Sequence, residues 1–299
     1  MKAGLPENAG IAALPERRMS TSRLTVHLLL HRGLFMFGAV IIIIMVLVAI
    51  FAPLIAPYDP NVPDLRDSLA PPSADHLLGT DQIGRDTLSR LIYGSRTSLA
   101  VGLSAVAAAL VLGGLLGTVA GFVGGIVQTL IMRVVDTLMA IPMLLLALTL
   151  AAVLGGGLKN VIIAISVSMI PPFARLMCAQ TLTIKERDYV SSLRSMGASR
   201  WRTMFGHVMP NAYPAVLVFG TMMIGGAIMG EAALSYLGIG IAVPAAAWGA
   251  MVSDGFPHLL SSPLLSIAPG VCIMLVVFAF NMVGDGLRDV LDPRLRGTM

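Results

Sequence analysis

Two stretches of this chain, Gly33–Tyr58 and Thr97–Met132, contain no charged residue at all. That property restricts the fold more than any other. A helix needs about 20 apolar residues to cross the hydrocarbon of a bilayer. Backbone in lipid must satisfy its polar groups inside a helix or a closed barrel, and barrel strands read as short segments of alternating polarity. The runs here are long and unbroken. The rest of the chain agrees, with 56% of 299 residues apolar and 12% charged, against about 25% charged in soluble domains. The expectation is an all-α polytopic membrane protein.

Gly33–Tyr58 is the first transmembrane helix. The core of a cleaved signal peptide is about 7–15 residues, so this longer run is read as an anchor despite Arg17, Arg18, Arg23 and Arg32 before it. Thr97–Met132 is too long for one span and divides at GFVGG, 121–125. A second span is expected near 98–120 and a third near 128–154. The fourth, near 159–178, carries Pro171-Pro172 and should kink. The fifth lies near 209–231 and the sixth near 263–284. Residues 232–262 are apolar but broken by Gly238, Gly240, Pro244, Gly249 and Pro257, and read as an external loop with short interfacial or re-entrant pieces. The division is a cytoplasmic N-terminal segment (1–32), the first helix (33–58), a periplasmic loop (59–96), a five-helix core (97–287) holding a cytoplasmic loop at 185–208, and a cytoplasmic tail (288–299).

Orientation follows from Lys and Arg, which accumulate on the cytoplasmic side. With the N-terminus inside, that side collects Lys2, Arg17, Arg18, Arg23, Arg32, Arg133, six residues from Arg175 to Arg202, and Arg288, Arg294 and Arg296. The outside receives Arg66, Arg85, Arg90, Arg96 and Lys159. Six spans with both termini inside is the consistent arrangement. The net charge of +4 reports orientation and gives no sign of nucleic acid. Cys178 and Cys272 fall in or beside apolar runs and read as packing residues.

The polar segment Asp188–Asn211, DYVSSLRSMGASRWRTMFGHVMPN, stands between two very apolar stretches. Tyr189, Leu193 and Met196 share one helical face by their spacing. Gly197 then permits a turn, and Trp201, Met204, Phe205 and Val208 supply a second apolar face. Two short helices at an angle, ringed by Arg194, Arg200 and Arg202, make a knob suited to a groove in another protein. A basic helix lying on the inner leaflet is the other reading of the same pattern.

Further polar residues are candidates. Asp81, Arg85, Asp86 and Arg90 recur at spacings of four or five outside the membrane. They read either as a solvated helix face with weak ion pairs or as a contact surface. Asp136, with Arg133 three residues before it, reads as a structural ion pair at the inner end of span three. Glu231 lies at the outer end of span five, to line a path or to snorkel. His207 is a contact candidate near the inner surface. No G-x-x-x-x-G-K-[ST] occurs and the lysines are only Lys2, Lys159 and Lys185, so the chain has no phosphate cradle. Without H-E-x-x-H, G-x-S-x-G or a Cys/His cluster, neither a catalytic nor a metal site is expected.

In Asp188, Tyr189, Val190, Arg194, Gly197, Ala198, Pro210 and Asn211 the polar loop resembles the cytoplasmic coupling loop of ATP-binding-cassette importer permeases. Ser191-Ser192-Leu193 stands where that family carries Glu-Ala-Ala. A second resemblance is independent. APYDPN at 56–61, HLLGTDQIGRDTLSRLIYGSRTSL at 76–99, EAALSYLGIG at 231–240 and WGAMVSDG at 248–255 are similar to the second membrane subunit of dipeptide, oligopeptide, nickel and glutathione importers (the DppC/OppC-like family). The resemblance implies six transmembrane helices in the type I, MetI-like architecture and a location in the bacterial inner membrane. It implies a coupling function for the loop, Trp201 included; contact of Asp81, Arg85, Asp86 and Arg90 with a partner subunit or binding protein stands beside the solvated-face reading as the alternative. Its implied partners are a second permease subunit, two ATPases that use ATP in place of any cofactor on this chain, an external solute-binding protein and membrane lipid. Peptides are the implied cargo, with nickel chelates or glutathione as alternatives. An ion-coupled secondary transporter using Asp136 or Glu231 is the rival class, although the inverted repeats it should show are not visible.

Overall fold

The computed structural model describes residues 29–291 except 31, 242 and 243. Most of the N-terminal segment 1–32 and residues 292–299 of the tail 288–299 lie outside the described residues. Those described form helices and connecting loops, with a lone β-bridge between Thr80 and Asp86. The chain runs α1 (Gly33–Ile55), α2 (Thr87–Val123), α3 (Gly125–Met139), α4 (Met143–Leu154), α5 (Leu158–Lys185), α6 (Asp188–Ser195), α7 (Arg200–Thr203), α8 (Met209–Tyr236), α9 (Trp248–Gly255) and α10 (Leu264–Leu291). Five helical segments are long and apolar enough to cross a membrane, and α3 with α4, counted as one bent span, makes six.

Two spans differ from the sequence expectation. The second span begins at Thr87, inside the predicted loop 59–96, because Asp86 caps it by accepting the Ser89 N–H at 2.7 Å. A charge-free run marks where a helix meets lipid, whereas a cap marks where it starts. At 37 residues α2 is about 55 Å long, so it extends well beyond the hydrocarbon. The third span is broken: α3 and α4 meet at 89°, at Pro142, which has no N–H to continue the ladder. In contrast, α5 stays one helical element through Pro171 and Pro172.

The core sits where α2 crosses α5. Gly113, Gly117 and Gly121 recur every fourth residue on α2 and press against α5. A Cβ on Gly117 would lie 2.4 Å from the Ala174 carbonyl oxygen and 2.7 Å from Met177 Cβ. Only a hydrogen fits there. Such small-residue stripes allow close backbone approach, where packing rather than the hydrophobic effect holds membrane helices together. Phe173, Met177, Ile165 and Met169 of α5 are fully buried around the stripe. By contrast α1 exposes Leu34, Ile43, Leu47 and Leu54, as a lipid-facing helix should.

Candidate functional site

Between α5 and α8 the chain leaves the apolar bundle and forms a small helical knob. Only Glu186 and Arg187 separate α5 from α6. Helix α6 ends at Gly197, whose φ is +81°, a left-handed conformation that side chains resist. The Gly197 N–H donates to the Arg194 carbonyl at 3.0 Å and the Ala198 N–H to the Leu193 carbonyl at 3.1 Å. These are the two bonds of a Schellman stop. Ser199 then caps α7, its hydroxyl accepting the Arg202 N–H at 3.3 Å.

Helix α7 does not end before the next span. It passes through a π-helical turn, Met204–Val208, straight into α8, so Arg200–Tyr236 is a single helical segment of 37 residues. The wide turn precedes Pro210, which lacks an N–H, and the Met209 N–H reaches back to the Met204 carbonyl. Asn211 donates its side-chain N–H to the His207 carbonyl at 2.6 Å, satisfying an acceptor the π turn loosens.

The knob is rooted in the core and bare at its tip. Val190, Met204 and Val208 are buried, while Met196 and Trp201 are 75% and 69% exposed. Trp201 stacks on Phe205 with ring centroids 5.7 Å apart. Periodicity placed Tyr189 with Leu193 and Met196; in the structure Val190 faces the bundle and Tyr189 faces out. Two contacts tie the root to α2. The Arg194 guanidinium lies 5.6 Å from the Phe122 ring centroid, within cation–π range, and Lys185 donates to the Gly121 carbonyl at 2.9 Å. A cleft of about 670 Å³ opens beside them, walled by Phe122, Arg194, Ala198 and Trp201. Asp188, in the first turn of α6, suits the positive helix end.

The structure corrects the reading of Asp81, Arg85, Asp86 and Arg90. They are 8%, 3%, 3% and 3% exposed, so they are neither a solvated face nor a surface open to a partner. Arg85 Nε lies 2.7 Å and Arg90 Nε 3.5 Å from the same Asp81 oxygen. Arg90 also donates to the Pro60 carbonyl at 3.1 Å, and Asp86 pairs with His76 at 3.0 Å. Folding the 56–86 loop over the N-terminal end of α2 encloses the charges, and enclosed charges must pair.

Asp136 does not use Arg133. Its partner is Arg175 on α5, across the helix interface. Both side chains are half exposed, so the pair contributes little stability. Glu231 is fully buried and therefore neither snorkels nor presents a surface. It accepts hydrogen bonds from Ser235 at 2.7 Å and Ser98 at 3.2 Å, and Ser98 in turn accepts from the Trp248 N–H at 3.4 Å. This junction of α2, α8 and α9 was not visible in sequence beyond the i, i+4 spacing of Glu231 and Ser235. The half-buried His207 sits in the π turn. Cys178 and Cys272 are free thiols, and among the described residues no cluster could hold a metal ion.

Residues 113–297 match the family described as the inner membrane component of binding-protein-dependent transport systems. The chain belongs to this family. Residues 20–72 also match the N-terminal transmembrane domain of oligopeptide transport permease C. Similar proteins include the probable D,D-dipeptide transport system permease protein DdpC of Escherichia coli, 40% identical over 97% of both chains. The glutathione transport system permease protein GsiD of Shigella sonnei is 43% identical over 88% of this chain and 87% of its own. A structure of the methionine ABC transporter MetNI in an inward-facing conformation covers 68% of this permease and 97% of its own chain, with TM-score 0.55 at 20% identity; that likeness concerns the fold, which is the type I permease fold. The protein is thus a multi-pass inner-membrane transport permease and not an enzyme.

Proposed function

We propose that this permease is one of two membrane subunits of an ATP-driven importer of short peptides, with both termini in the cytoplasm. The knob α6–α7 docks in a groove of a separate ATPase. The observation that carries this reading is the continuity of the knob with two spanning helices. Two residues join it to α5, and no break joins it to α8. Force applied to the exposed Trp201 and Met196 therefore moves α5 and α8 as levers, and α2 with them through Gly117. Because the chain lacks a phosphate cradle, ATP acts on the partner subunits. A solute-binding protein delivers cargo on the face of the 56–86 loop. The relatives named for D,D-dipeptides and glutathione both support peptide-sized cargo, glutathione being a tripeptide.

Gly197→Val tests the reading. Nothing lies within 4 Å of the position a Cβ would take, so the substitution acts only through the left-handed backbone, at a cost of about 1–2 kcal/mol. The variant should insert and pair with the second permease yet lose ATPase co-purification and uptake. Gly197→Asn, which tolerates that conformation, should retain both. Ser191→Glu, restoring the acidic residue of the family pattern on an exposed position, should preserve or strengthen docking. Normal uptake by Gly197→Val would overturn the proposal.

A further inference from the structure

A second cleft, of about 590 Å³, opens between α5, α8 and the end of α10. Its two ends differ in chemistry. Arg187 and Arg288 stand at one end, with Asn211 beside them. The wall continues along Leu176 on α5 and Phe219 and Met222 on α8. Neither arginine has a carboxylate within 4.0 Å among the described residues; the nearby Asp289 is taken by Arg32.

The dimensions identify an occupant. Asn211 to Met222 covers eleven helical steps of α8, about 16 Å along the axis, and Leu176 to Lys185 covers nine of α5 before the turn that carries Arg187. Half of a hydrocarbon core of about 30 Å is about 15 Å. Along α8 the cleft is therefore about one leaflet deep; its wall is apolar on α8 from Pro214 to Met222, carries Gln180 on α5, and is doubly cationic at its mouth. We propose that it holds one anionic phospholipid of the cytoplasmic leaflet, its phosphate between Arg187 and Arg288 and an acyl chain along Phe219 and Met222. Basic sites between membrane helices on the cytoplasmic side suit such headgroups. The assignment to that leaflet rests on the orientation in the proposed function. Since Arg187 begins the knob and Arg288 ends α10, the headgroup would bridge the coupling loop to the last span.

The test uses the complex assembled from all its subunits, in nanodiscs of phosphatidylcholine doped with photoactivatable phosphatidylglycerol. Label should concentrate in residues 176–187 and 211–222. Each guanidinium near a membrane surface contributes about fivefold to binding, so R187Q with R288Q should lower labelling about 30-fold. R187K with R288K should keep most of it. Equal labelling by a phosphatidylcholine probe, or unchanged labelling of the glutamine variant, would overturn the proposal. Capture of the second permease subunit by a cross-linker at Ala215 would overturn it too, because a protein would then fill the cleft. ATPase co-purification is scored separately, so a failure of the coupling reading is distinguished from a failure of the lipid site.

Discussion

Asp81→Ala should unfasten the loop between α1 and α2 without disturbing the bundle. The Asp81 carboxylate contacts Arg85 at 2.7 Å and Arg90 at 3.5 Å, and accepts the N–H groups of Ile83 and Arg85, each at 3.0 Å. Both guanidiniums are 3% exposed, so the truncation leaves two buried cations facing each other. Removing one partner of a buried pair costs about 3–5 kcal/mol. Asp254, which lines the same small cavity as Asp81 and Arg90, remains to offset Arg90, so the lower half of that range is expected. At 1.4 kcal/mol per tenfold, about 3–4 kcal/mol raises local opening roughly 100- to 1,000-fold. The assay is hydrogen exchange on the amides that fasten the loop: Leu69 to the Asp81 carbonyl, Thr80 to Ala70 and Thr87 to Gly79. Their exchange should accelerate by that factor, while amides in α5 stay unchanged. Asp81→Asn keeps a side-chain oxygen to accept the Ile83 and Arg85 N–H groups and should cost about 1–3 kcal/mol. Unchanged exchange at those three amides in Asp81→Ala would refute the buried-charge argument.

Gly117→Val places three carbons where α5 leaves none, and overpacking of about 1–3 kcal/mol or more should lower the melting temperature of the purified complex; a Gly206→Val control, with nothing within 4 Å of the added Cβ, should change it less. Glu231→Ala strands Ser98 and Ser235 and opens a cavity, a loss of about 2–5 kcal/mol, whereas Glu231→Gln should melt within about 1.5 kcal/mol of the parent. Burial raises the Asp254 carboxyl above the usual aspartate range, opposed by Arg90 and Arg85. A carboxyl raised in the folded state stabilises the fold fully below the ordinary value near 3.9, and that contribution is lost as pH rises through the raised value. Exchange protection of α9 should therefore fall over that window in the parent and stay flat in Asp254→Asn.

Much of this architecture was legible because lipid imposes a simple rule on sequence. The spans in Gly33–Tyr58, α5, α8 and α10 announce themselves as long, predominantly apolar stretches with few charges. The stop at Gly197 was legible for a similar reason, since a glycine between two amphipathic turns leaves few local alternatives. Asp81, Arg85, Asp86 and Arg90 were legible as residues but misplaced, because helical spacing describes one helix and says nothing about a loop folding over it. The Asp136 partner failed likewise: Arg133 is near in sequence, but Arg175 is near in space.

The sequence by itself determined that the chain lives in a membrane and roughly where it crosses, because burial in hydrocarbon forbids uncompensated charge wherever the chain runs. Only the tertiary structure decided which polar groups are spent internally. Glu231 needs Ser98, which lies 133 residues away along the chain, and no local period encodes that distance. The two arginines at the second cleft likewise come from segments about a hundred residues apart and line one cleft only because α8 packs against both α5 and α10.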